Sequence, residues 1–200
     1  MSRSSRRLTF VVLVVIVLLA LACAGPRLAG GVRSDPLRVA AVVLPDASNG
    51  GAPMAMRAQA DELLLVYFGY TNCPDVCPTT MADVGRAIKD LPTDLGPRVD
   101  VAMVSLDPER DTPDRLTQFL AYFFARSHAL RATDELQLAD AAAAFGVRWE
   151  VEPHQAGESY KLSHTAVTYA VDDTGTVLVE WPFGTDHQLI QSDLAILLTR

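Results

Sequence analysis

Apolar residues recur along this chain in different rhythms, and each rhythm predicts a different element. Leu63–Tyr67 (LLLVY) is a continuous apolar run, the pattern of a strand buried on both faces, and Val99–Leu106 (VDVAMVSL) reads as a second. Helical spacing follows each of them. Met81, Val84, Ile88 and Leu91 mark a helix over Pro78–Leu91. Leu116, Phe119, Leu120, Phe123 and Phe124 form one stripe behind Thr112 and Pro113, an N-cap and first helical residue. A third helix is expected over Glu135–Phe145, stopping at Gly146. Thr165–Val171 and Thr176–Trp181, joined by Asp172-Asp173-Thr174-Gly175, predict a hairpin, and a last helix over Asp186–Leu198 is expected with Thr185 as its cap. Leu37–Leu44 predicts a first strand, closed by turn signals from Pro45 to Gly51, whereas Glu150–Lys161 carries no consistent period and predicts a loop. Strands alternating with helices and ending in a hairpin plus helix predict an α/β domain, a mixed sheet flanked by helices on both faces.

The start of the chain fits none of these rhythms. Arg3, Arg6 and Arg7 precede an uncharged apolar run from Leu8 to Ala24, 17 residues long, followed by Gly25-Pro26. A run apolar all round predicts an export signal or membrane anchor over 1–25, since a core helix would show a polar face. Its length lies at the lower limit for spanning a bilayer, about 17 residues, and just above the usual h-region of about 7–15. Cys23, directly after Ala22, also fits a bacterial lipoprotein signal. The preceding basic residues keep the N-terminus cytoplasmic, so the body is expected outside, tethered to a bacterial cell membrane. Residues 26–36, rich in Gly, Pro, Arg and Ser, read as the tether, and 37–200 as the domain.

Charge narrows the partners. The leader holds no acid, and the remaining body carries 14 Lys and Arg against 24 Asp and Glu, a balance of −10. Such a surface repels phosphate backbones, which excludes nucleic acid as the expected partner. Three cysteines are too few for a disulfide framework. With Cys23 in the leader, only Cys73 and Cys77 remain in the domain, and a close pair in an otherwise cysteine-free domain points to a site.

The segment Tyr67-Phe-Gly-Tyr-Thr-Asn-Cys73-Pro-Asp-Val-Cys77-Pro78 places both thiols where a buried strand gives way to a helix, the usual location of ligand sites in α/β folds. With Pro78 as first helical residue, Cys77 takes the N-cap, where the helix dipole favours its thiolate against the nearby Asp75 charge. Thiolates are soft ligands that, with an added imidazole, suit Cu(I), Zn(II) or Cu(II), but two cysteines alone leave a metal under-coordinated. Of four histidines, His128 follows a helix in a polar turn, His154 lies in the long loop and His187 in the first turn of the last helix, all expected to be solvent-exposed. His164 precedes a core strand at a sheet end, as a third ligand or as a buried structural histidine. Met54 and Met56 carry thioethers able to bind Cu(I), but are expected to fill gaps beneath a loop.

The strings GYTNCPDVCPTTM, SLDPERDTPDRL and SHTAVTYAVDDTG closely resemble the Sco/SenC family of copper-binding proteins, from about Glu62 to the C-terminus. The resemblance implies a thioredoxin-like fold holding one copper ion, with Cys73, Cys77 and His164 as ligands. In such a fold the segment before the hairpin lies opposite the cysteine loop, and His164 takes that place. It further implies a metallochaperone more than an enzyme, assisting assembly of the dinuclear copper centre in subunit II of cytochrome c oxidase. Subunit II is the expected partner, with other copper carriers or thioredoxin-like reductants beside it. Asp107 and Asp111 match the family's acidic motif and are expected to line the site or cap the helix. The chain departs from the family at Ser163-His164-Thr165, where the usual Asp-His-Ser supplies a carboxylate able to orient the imidazole, so altered metal affinity is expected. The family's hairpin before the first core strand is also poorly matched across Leu37–Ala60.

The competing reading is a thiol–disulfide oxidoreductase that keeps the cysteines of that centre reduced, with Cys73 and Cys77 as its redox pair. Spacing weighs against it, because redox thioredoxins carry Cys-x-x-Cys and this chain has three intervening residues. Helical i, i+4 side chains have Cβ atoms about 5–6 Å apart, beyond the roughly 3.5–4.5 Å a disulfide prefers, so oxidation needs an irregular loop. Peroxidase chemistry lacks the threonine three positions before either cysteine, where Tyr70 and Pro74 stand.

Overall fold

The continuous apolar run becomes the centre of the sheet: β3, Leu63–Gly69, is buried at every position. It pairs in parallel with β4, Val99–Ser105, from Leu63↔Val99 to Gly69↔Ser105, and antiparallel with β8, Val167–Val171. The computed structural model describes residues 27–153, 155 and 160–200, so the leader, with Cys23, and His154 lie outside the described residues. Hairpin β1 (Val43–Asp46) and β2 (Ala52–Ala55), strand β5 (His128–Leu130) and β9 (Val177–Pro182) complete a seven-stranded mixed sheet of order β2-β1-β5-β4-β3-β8-β9. A separate antiparallel pair joins β6, Trp149–Val151, to β7, Leu162–His164.

Strand alternation divides the core into two layers. Leu63 and Leu65 pack on one face with Val84, Ala87 and Leu91 from helix α1 (Val76–Lys89) and its end, and with Ile190, Leu194 and Leu198 from helix α4 (His187–Leu198). Leu64, Val66 and Phe68 pack on the other, against Leu116 and Leu120 of α2 (Pro113–Ala121) and Leu138, Ala142 and Phe145 of α3 (Glu135–Phe145). Helices therefore cover both faces of a mixed sheet, the thioredoxin-like architecture the motifs imply. The caps of two helices follow the sequence. Thr112 accepts from the Arg115 N–H with Pro113 behind it. Gly146 ends α3 at φ 69°, a left-handed conformation that glycine adopts without steric cost.

Several expectations shift. Helix α1 starts at Val76 rather than Pro78, because a missing proline N–H is tolerated anywhere in the first turn, where N–H groups have no intrahelical partner. The cap of α4 is Asp186, accepting from Gln188 N–H, while the Thr185 hydroxyl bonds to the Pro182 carbonyl. The first strand is shorter and later than Leu37–Leu44, since the chain turns at Val39–Val42. The hairpin poorly matched by sequence is nevertheless present as β1–β2, its turn closed by Asp46 accepting from Ser48 N–H. Part of the stretch read as a tether is docked on the domain. Gly31 bridges to Glu180, and buried Asp193 accepts from the Ala29 and Gly30 N–H groups. No helix among the described residues is long and apolar enough to cross a membrane.

Candidate metal centre

The parallel strands β3 and β4 end together at Gly69 and Ser105, and the loops that leave them build the site. After β3 the chain runs through Tyr70, Thr71 and Asn72 to Cys73 before α1 begins. Asp111 anchors this loop from the N-terminal side of α2. Its fully buried carboxylate accepts from the Thr71 N–H at 3.1 Å, from the Thr71 hydroxyl and from the Ser105 hydroxyl at 2.6 Å, and burial raises its pKa. Arg115 reaches Asn72 Oδ1 at 2.6 Å from the same helix. Asp107 instead holds Arg110 and accepts the Tyr160 hydroxyl at 2.8 Å. Neither acid is the cap of α2, which is Thr112, and Asp111 is the one tied directly to the cysteine loop.

The two thiols sit in different surroundings. Cys77, in the first turn of α1, is fully buried, and Cys73, on the loop, is partly exposed. Both are free. The expected N-cap role of Cys77 passes to Asp75, because the helix begins earlier. Asp75 occupies the cap without a side-chain cap bond, and Cys73 Sγ accepts from the Cys77 N–H at 3.3 Å. Hydrogen bonds from the Cys77 thiol and from the Cys77 and Asp75 N–H groups pull the Cys73 pKa well below the ordinary thiol range. Its role as donor to Cys73, together with burial, pushes Cys77 up. The favoured thiolate is therefore Cys73.

His164 ends β7 and brings its ring to Cys77 from the other side of the loop. Nε2 lies 3.6 Å from Cys77 Sγ, and Nδ1 lies 3.1 Å from the Thr165 carbonyl. A proton on Nδ1 satisfies that carbonyl and leaves the Nε2 lone pair facing the sulfur. The rings of Tyr67 and Tyr70 stand edge-on to the imidazole, with centroids 6.0 and 6.1 Å away. Gly69 makes room, since a Cβ there would come within 2.6 Å of the Tyr67 ring and 3.0 Å of Cys77 Sγ.

The donor set fits a soft metal ion. Bond lengths of about 2.3 Å to sulfur and 2.0–2.1 Å to nitrogen, at tetrahedral to trigonal angles, separate the two ligand atoms by about 3.5–3.8 Å. The Cys77–His164 separation of 3.6 Å lies in that range. Among the described residues no three Cys, His or acidic side chains form a closed metal cage; buried Cys77 and half-buried His164 stand at metal-spanning distance, with Cys73 beside them on the loop.

The other sequence candidates are placed elsewhere. His128 is no exposed turn residue: it opens β5 and bonds Asp46 Oδ2 at 2.7 Å. His187 begins α4 near Asp90 and Asp186. Met56 is fully buried and Met54 packs on the same core layer, the gap-filling role expected of them. Sequence reasoning passed over Tyr67 and Tyr70, although a tyrosine in or beside a run buried on both faces signals a hydroxyl in need of a partner.

A family model described as SCO1/SenC matches residues 47–199. The mitochondrial SCO2 homologue of Bos taurus is 29% identical over 147 residues, covering 72% of this chain and 55% of its own length. The chain thus spans about half the length of that relative. The solution structure of apo Sco1 from Thermus thermophilus aligns with TM-score 0.74 and 29% identity, over 87% of this chain and 99% of that one. ScoI of Bradyrhizobium japonicum, solved with copper bound, aligns with TM-score 0.65 and 27% identity, over 82% and 96%.

Proposed function

The chain belongs to the SCO1/SenC family, and from that premise we propose that it is a copper carrier in which Cys73, Cys77 and His164 bind one copper ion. The observation that carries this reading is the 3.6 Å separation of Cys77 Sγ and His164 Nε2. Two thiolates and an imidazole match the softness of Cu(I) and also bind Cu(II). Cys73, partly exposed on its loop, is the ligand through which a partner thiolate can enter, so copper passes on through shared-ligand intermediates. BsSco, a fold neighbour at 22% identity, is a member of the Sco family of cytochrome c oxidase assembly proteins. The acceptor implied by the motifs is the dinuclear copper centre of subunit II. Residues 1–25 hold the domain to the outer face of a bacterial cell membrane in this reading.

The test is copper content and affinity of the purified domain. Wild type takes up one copper, with the visible absorption of thiolate–Cu(II) in the oxidised form. Cys73→Ser, Cys77→Ser and His164→Ala each lose it. Wild-type affinity and spectrum in His164→Ala would overturn the ligand assignment. A second reading is favoured by the unequal thiols: a lowered, accessible Cys73 beside a buried Cys77 suits attack on a disulfide of the acceptor. Cys73 then forms a mixed disulfide, Cys77 resolves it, and a thioredoxin-like reductant restores the dithiol. Rapid turnover in a disulfide-reductase assay that survives His164→Ala distinguishes it.

A further inference from the structure

Two buried tyrosines flank the site, and neither is among the proposed ligands. Tyr67 is fully buried in β3, and its hydroxyl donates to Cys77 Sγ at 3.7 Å. Tyr70, 2% exposed, makes two hydrogen bonds to one residue of the histidine strand: its hydroxyl donates to the Leu162 carbonyl at 3.3 Å and accepts the Leu162 N–H at 3.4 Å. The β6–β7 ladder explains why Leu162 is available. Thr165 N–H donates to the Arg148 carbonyl and Glu152 N–H to the Lys161 carbonyl, so the bonded pairs fall at alternate positions. Leu162, opposite Val151, lies between them and turns both backbone groups away from β6. In this structure they meet Tyr70.

We infer that Tyr67 and Tyr70 are positioning residues that fix the Cys77–His164 pair at metal-spanning distance, Tyr67 by holding the sulfur and Tyr70 by tying the histidine strand to the cysteine loop. β6 and β7 form a two-stranded pair outside the main sheet, and an isolated pair of strands is marginally stable by itself. Tyr70 supplies a direct bond from that pair to the loop after β3, two residues before His164. The edge-on contacts of both rings, at 80° and 82° to the imidazole, restrict its rotation from two sides. Gly69, between the two tyrosines, completes the device, because any side chain there would separate Tyr67 from Cys77.

The inference rests on the copper reading, and the experiment separates the two. Tyr70→Phe is expected to accelerate hydrogen exchange at the Leu162 amide in metal-free protein while leaving Val66 in β3 protected. Its Cu(I) affinity, measured against a chromophoric competitor, should fall about 10–100-fold, the usual cost of removing a group that orients a metal ligand. In a His164→Ala background Tyr70→Phe should cost nothing further. An equal loss there, or unchanged affinity in Tyr70→Phe, overturns the role of Tyr70. Tyr67→Phe should move the thiolate–Cu(II) absorption to lower energy, since a hydrogen bond withdraws charge from sulfur, and an unmoved band overturns its role. Should wild type take up no copper, the carrier reading fails by itself. The imidazole nitrogen resonances of His164 in metal-free protein then decide the inference, for they should shift in both variants, and resonances that stay in place refute it.

Discussion

His164 and His128 both sit at the end of a short strand, and their surroundings could hardly differ more. His128 opens β5 towards the end of the sheet where the parallel strands begin, with both ring nitrogens facing carboxylates. Nδ1 is 2.7 Å from Asp46 and Nε2 is 3.9 Å from Asp100, which also pairs with Arg126. Asp46 is itself buried and accepts the N–H groups of Ser48 and Ala129, so this histidine is one member of a closed polar network joining β1, β4 and β5. His164 meets a backbone carbonyl on one side and a thiol on the other. Hard, charged partners make a histidine into a structural cation, whereas a soft, exchangeable partner leaves a nitrogen free for a metal.

Exchanging the two residues for alanine is the strongest way to break that contrast. His164→Ala should lower copper affinity at least about 100-fold and leave the fold intact, because losing a direct ligand costs no less than losing one that orients it. His128→Ala should leave copper affinity unchanged and lower unfolding stability by about 1–3 kcal/mol, the cost of leaving a buried acceptor such as Asp46 Oδ2 without its donor. Competition titration and urea denaturation read the two effects. A His128 variant that loses copper would show that the two regions are not independent.

The thiols offer the next test. In metal-free protein, iodoacetamide should modify Cys73 at least about tenfold faster than Cys77 at neutral pH, since Cys73 is both the accessible sulfur and the one whose thiolate is favoured. Peptide mapping after brief labelling gives the ratio. Equal rates would mean that the loop opens as a unit and that Cys77 is not held in place beside His164.

A smaller effect should appear in the pH dependence of stability. Asp100 and Asp46 raise the His128 pKa in the folded protein, whereas the unfolded chain keeps the ordinary value of about 6.5. The protonated ring is therefore favoured by folding. Its contribution is complete below about pH 6.5 and is lost as pH rises through the folded-state pKa. Urea midpoints should fall across that window in wild type and fall less in His128→Gln. Parallel curves for the two proteins would remove the carboxylates as the cause.

The same contrast explains what could be read from the sequence. The cysteine pair was legible because strand, loop and helix follow one another within a single segment, and α3 was legible because Gly146 closes it locally. His128 was not, since its partner Asp46 lies 82 positions away and nothing around Arg126-Ser127-His128 announces it. The β6–β7 pair escaped for a different reason. Its strands have three residues each and are largely exposed, so no period of apolar residues marks them, and Glu150–Lys161 reads as a loop. The placing of His164 thus depended on resemblance, while the strand that carries it is held from outside by Tyr70.

The smallest effect concerns Ser163, where the resemblance implies an acid. Introducing that acid by Ser163→Asp should change copper affinity by no more than about threefold. Successive residues on a strand point to opposite faces, so a carboxylate at 163 leaves β7 on the side away from the His164 ring. The imidazole does not need it, because the Thr165 carbonyl already takes the Nδ1 position. The new acid would also stand across from Glu150, its exposed partner on β6, where like charges destabilise the pair by a few tenths of a kcal/mol. Exchange at the β7 amides should therefore rise slightly while the copper titration stays in place. A large gain in affinity would instead show that the carboxylate reaches the ring, and that the carbonyl is a substitute rather than a sufficient partner.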